Sequence, residues 1–160
     1  MPDLKLIAMD AEDLAVLSAH LQDAVMRVED MAYLRQEKRF AGIANRFDWE
    51  GAITPAKGKK SYARRRSGLR FERVLGAKVA GIDLKDTNAV LSLLAIEFSE
   101  QEKDNPAGLV TLRFSGGAAI RLAVECIEAE LKDLGAAWET KNIPAHTAKD
   151  PAQPDLKGRR

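Results

Sequence analysis

The chain has 160 residues, 46% apolar and 31% charged, with a net charge of +1. That length suffices for one domain burying about 70% of its unfolded surface without disulfides or metal. The apolar runs, such as Ala89 to Ile96, are interrupted by Ser92 and too short to span a bilayer, and the start MPDLKLIAMDAED has neither a basic region nor an uninterrupted apolar stretch, which argues against a secretory signal. The expectation is a cytoplasmic protein with one domain over residues 1–145 and a disordered tail over 146–160, where Pro, Ala, Lys and Asp dominate.

Residues 4–9 read as a short strand, and Asp10 followed by Asp13 is a helix start with negative charge in the first turn. Leu14, Leu17, Leu21, Ala24, Val25 and Val28 follow a helical stripe, predicting an amphipathic helix from 11 to about 26. From Val28 the pattern turns to β: Met31 and Tyr33 alternate up to a charged turn at Arg35 to Lys38. A second strand carries Phe40, Ile43, Phe47 and Trp49, with Gly42 as the place for a bulge that brings Phe40 and Ile43 into phase. Residues 51–60 form a loop around Pro55 and Gly58. A third strand starts near Tyr62 or Gly68 and carries Leu69 and Phe71. A fourth lies around Ala77 to Ala80 between Gly76 and Gly81, and 83–88 is a turn. Residues 90–98, apolar on both faces, read as a strand covered on both sides, with a helix on one of them.

Residues 109–135 are the most informative stretch. Val110, Leu112 and Phe114 alternate with Thr111 and Arg113, and beyond Gly116-Gly117 Ile120, Leu122, Val124 and Cys126 alternate with Arg121, Ala123 and Glu125. Both apolar faces share one side only if paired positions sum to an even number. A three-residue loop, Gly116 to Ala118, meets that condition with Phe114 opposite Ile120 and Arg113 opposite Arg121. Ile127, Leu131 and Leu134 then fall on one helical stripe ending at Gly135, so a C-terminal helix is expected. The whole reads as α+β: a leading strand and helix, about seven antiparallel strands and a closing helix. By analogy of order alone, this is a pleckstrin-homology-like barrel.

The segments LKLIAMDAEDLAVLSAHLQDAV, EKRFAGIANRFDWE and IRLAVECIEAELKDLGAAW are similar to an alphaproteobacterial family known only as a domain of unknown function. The resemblance extends to about residue 145. It implies no activity, substrate, cofactor or site residue.

Charge is the most uneven feature. Between Lys57 and Arg73 stand Lys57, Lys59, Lys60, Arg64, Arg65, Arg66, Arg70 and Arg73 against Glu72 alone, a net +7 that leaves −6 for the rest of the chain. Such a segment suits phosphate-rich partners, with arginine forks for phosphate oxygens and Tyr62 and Phe71 as ring faces for bases. The leading expectation is a small binding or adaptor module that meets nucleic acid, RNA first, or another polyanion there. The same arginines also fit a solvated loop whose exposed charges contribute little to folding. Arg113 and Arg121 form a weaker anion candidate, since like charges across a sheet repel unless an anion or a carboxylate such as Glu97 or Glu125 lies between them. A second expectation is a protein-interaction module using a groove or an exposed strand edge. An enzyme is the third: no phosphate loop, nucleophile motif, metal spacing or cofactor motif is present. His20, His146 and Cys126 have bland readings, the cysteine as an inward-facing apolar group.

Overall fold

The computed structural model describes residues 3–47, 63–135 and 138–139. The strand β1 (Lys5–Ala8) leads into the helix α1 (Ala11–His20). Asp10, in extended conformation, accepts the Asp13 N–H at 2.8 Å and starts the helix as its sequence position requires. The helix stops at His20, short of the expected 26. Asp23 turns left-handed at φ 64°, and its N–H donates to the Leu93 carbonyl, so Ala24, Val25 and Val28 pass to a sheet. Ala24 and Val28 satisfy both periods, Val25 turns to the other face, and pairing decides between helix and strand.

Nine further strands follow: β2 (Val25–Leu34), β3 (Arg39–Phe47), β4 (Ala63–Phe71), β5 (Val74–Ala80), β6 (Val90–Glu100), β7 (Gly108–Phe114), β8 (Ala119–Val124), β9 (Ala129–Asp133) and β10 (Trp138–Glu139). Their order is β1-β9-β4-β3-β2-β6-β7-β8-β5, with β10 on β4, and every pairing is antiparallel. The fold is therefore mostly antiparallel sheet with one helix among the described residues, which corrects the α+β expectation of about seven strands and a closing helix. The pleckstrin-homology-like analogy falls with it.

The closing helix is absent because Glu125 to Glu128 make a turn and 129–133 a strand paired with both β1 and β4. Ile127, Ala129, Leu131 and Asp133 are buried in alternation with Glu128, Glu130 and Lys132. A carboxylate at an inward position hid this period of two. Cys126, expected on the inward face of a strand, lies partly buried in the turn.

The β7–β8 hairpin keeps the even parity but slips by two residues, pairing Leu112 with Ile120, Arg113 with Ala119 and Thr111 with Arg121. Both Gly116 (φ 79°) and Gly117 (φ 85°) turn left-handed, so the loop closes at Ser115–Gly117 and the Phe114 N–H reaches the Ala118 carbonyl at 2.9 Å. Phe114 and Ile120 remain on the inner face, and Arg113 and Arg121 on the outer.

The sheet cannot be flat. From β4 to β5 the order counts six strand spacings, about 29 Å, whereas three Cα–Cα steps from Phe71 to Val74 reach at most about 11 Å. The sheet consequently folds over itself around Phe71, Leu93, Leu112 and Phe114. Three irregularities accommodate the bend: β2 shifts register against β3 between Met26 and Met31, while β5 and β6 carry extra residues at Leu75 and Leu94. The predicted irregularity near Gly42 is thus taken up by β2 opposite that region, and β3 pairs with β4 without interruption. On β6, Ser18 of α1 accepts the Ile96 N–H at 2.9 Å, so the helix lies along the edge of β6 that β2 leaves uncovered. The expected tail over 146–160 and loop over 51–60 lie outside the described residues.

Candidate functional site

The folded-over sheet leaves a seam between β2 and β5. In a strand, a residue's N–H and C=O point to the same edge. Val74 donates to the Lys38 carbonyl at 2.9 Å and accepts from the Tyr33 hydroxyl at 3.1 Å, so the edge of β5 away from β8 faces β2 and its turn. Those two bonds hold one end of the seam together. Toward the other end, Val28 and Glu29 donate to Ala89 and Thr87, and Ile82, Leu84 and Thr87 border the gap between β2 and β5. Among the described residues no strand pairs with this edge of β5, or with the seam side of β2 over residues 31–34.

A cavity of about 260 Å³ fills the gap. Met31, Tyr33, Phe40, Ala77, Val79 and Ile120 line it, together with Ile82 and Leu84 from the segment after β5. Leu84 is 61% exposed and Val79 41%. The sequence reading missed this site because it assembles residues far apart in the chain. The available signal was Leu84, an apolar residue inside the otherwise polar turn 83–88.

The basic segment divides. Lys57, Lys59, Lys60 and Tyr62 lie outside the described residues. On β4 the side chains of 65, 67, 69 and 71 turn inward, while Arg64, Arg66 and Arg70 share the outer face. Arg65, expected with the solvated arginines, is buried. Its guanidinium lies 2.9 Å from Asp3 Oδ1 and 3.9 Å from Asp133 Oδ2. Arg64 stacks over the Phe47 ring at 4.2 Å, and burial lowers its pKa. Arg70 is held by Glu130 and Glu72, and Arg73 by Glu128 at 3.0 Å and Glu125 at 3.6 Å. Arg39 and Lys38 join the same network through Glu72, Glu37 and Glu125. These pairs tie the turns where the sheet crosses over. Phe71 is fully buried and offers no ring face.

Beside that network, Asp133 receives Arg46 through two contacts at 3.1 and 2.9 Å, the Ser67 hydroxyl at 2.7 Å and the Leu4 N–H at 2.8 Å. Burial alone would raise its carboxyl, but these donors outweigh it and hold the group below the usual carboxylate range.

On the outer face of the other layer, Arg113 engages Glu97 at 2.7 Å. Arg121 stands opposite Thr111 on one side and Lys78 on the other, and neither Arg121 nor Lys78 has a carboxylate partner among the described residues. His20 ends α1 with its ring Nδ1 3.0 Å from the Val16 carbonyl. Among the described residues no group of His, Cys, Asp or Glu could hold a metal, and no helix is long and apolar enough to cross a membrane.

A family model described as "Protein of unknown function (DUF2948)" matches residues 4–146. No curated protein and no solved structure matches the chain.

Proposed function

The chain belongs to the DUF2948 family, proteins of unknown function, and we propose that it is a small cytoplasmic protein-interaction module that takes an extended segment of a partner protein into the seam between β2 and β5. One observation carries this reading: among the described residues no strand pairs with the outer edge of β5 or with the seam side of β2 over residues 31–34, and the two border an apolar cavity. An apolar small molecule would cover the cavity wall yet offer no partner to the backbone N–H and C=O groups that line the seam between its two bonded ends. An added strand satisfies those groups and places alternate side chains in the cavity.

The polyanion reading draws less support. Arg65, Arg70 and Arg73, three of the eight cations that motivate it, are engaged by carboxylates, and Arg65 turns to the opposite face from Arg64 and Arg66.

The test is selection from a displayed library of random linear peptides against the whole chain. Bound peptides should slow amide exchange along β5 and at 31–34 of β2. Val79→Asp, which puts a charge in the cavity wall, should weaken binding by at least about tenfold. Peptides indifferent to Val79→Asp would overturn the reading. So would a chain that selects no peptide but binds heparin or RNA with a steep salt dependence.

A further inference from the structure

The edge strand that borders the seam also carries one of two facing cations that have no carboxylate partner among the described residues. Across β5, β8, β7 and β6 the registers align Lys78, Arg121, Thr111 and Glu97 in one row on the outer face. Glu97 is engaged by Arg113. Lys78 therefore faces Arg121 directly, with no carboxylate for either among the described residues, an arrangement that destabilises an isolated sheet. The adjoining rows run Ala80, Ala119, Arg113 and Ala95 on one side and Gly76, Ala123, Leu109 and Ser99 on the other, so on β5 and β8 themselves only alanine and glycine flank the pair, while Arg113 on β7 is already engaged by Glu97.

Resting on the seam reading, we infer that the partner segment alternates apolar and acidic residues and that Lys78, backed by Arg121, reads the acidic ones. The stereochemistry of strand addition forces the link. Ala77 and Val79 point into the cavity while Lys78 points outward, and a strand laid against β5 repeats that alternation. Its inward residues meet Val79 and Ile120. Its outward residue beside Lys78 stands next to two positive charges, where a carboxylate completes the row and a lysine or arginine adds a third like charge. Charge complementarity thus selects one occupant: an extended peptide with apolar residues at every second position and Asp or Glu between them.

The peptides selected above supply the probe. Acidic residues should be enriched between apolar ones, and Lys78→Glu should shift that enrichment to Lys and Arg. For one acidic peptide, Lys78→Ala should weaken binding about two- to fivefold, the range of an exposed ion pair, with the loss shrinking as salt rises. Replacing the peptide's acid by Ala should abolish the difference between wild type and Lys78→Ala. Lys78 is exposed and its replacement relieves the repulsion with Arg121, so thermal unfolding of the variants should be no lower than that of wild type. Peptides that require Val79 but show no acidic preference and no response at Lys78 would overturn this inference while leaving the seam reading intact. If no peptide depends on Val79, both fail.

Discussion

Asp133 is the residue on which the buried polar structure converges. It accepts from Arg46, Ser67 and Leu4 with its side chain fully out of solvent. Asp133→Asn keeps the volume but leaves the Arg46 charge buried without its partner, which costs about 3–5 kcal/mol in such pairs. Urea unfolding should show a lower midpoint at unchanged slope. The pH dependence follows from the direction of the shift. Folding lowers the carboxyl's pKa, so its stabilisation is complete above the unfolded value, about 3.9, and is lost as pH falls through the lower folded value. Below about pH 4 wild-type stability should thus fall more steeply than that of Asp133→Asn; parallel curves would refute this. Arg65→Ala should destabilise far more than Arg64→Ala at the stacked, partly exposed position next to it. The basic run from Arg64 to Arg66 is plain in the sequence, but which arginine turns inward is not: alternation separates Arg65 from its neighbours only once Ser67, Leu69 and Phe71 are known to share its face.

Among the elements, two glycines in sheet positions differ in the room beside them. A Cβ on Gly108 would lie 2.5 Å from both the Phe98 ring and the Ser99 carbonyl, whereas one on Gly76 would meet nothing within 4 Å. Gly108→Ala should therefore cost about 1–3 kcal/mol, and Gly76→Ala should be neutral or stabilise by up to about 1 kcal/mol through the unfolded chain; thermal unfolding of both variants decides it. The elements were unequally legible. Asp10 marked the helix start because an N-cap is a local contact. Parity placed Phe114 and Ile120 on the same face because it depends only on alternation. It could not set the register, since Leu112 opposite Ile120 is equally even and the two glycines choose between them. The strand 129–133 was illegible because Ile127, Leu131 and Leu134 also fit a helix, and only pairing with β1 and β4 decides otherwise.

At the scale of the whole molecule, the folded-over sheet is clasped at the Glu72–Arg73 crossover. Tyr33→Phe removes the hydroxyl that bridges to the Val74 carbonyl and should cost about 0.5–1.5 kcal/mol. The Val74 amide, bonded to Lys38 across the same clasp, should exchange faster in that variant; an unchanged rate would show that Tyr33 does not hold the seam end. The topology also sets a clock for the chain as it is made. Leu4 donates its N–H to Asp133, 129 residues away. At about 5–20 residues per second, that separation is roughly 6 to 26 seconds of synthesis. Throughout that interval β1 waits for its partner, β4 lacks its second neighbour, and Arg46 and Arg65 stay hydrated for want of the carboxylate they will enclose. The N-terminal half therefore leaves the ribosome with apolar strand edges uncovered, and its protection in the cell depends on how quickly residues 129–133 arrive.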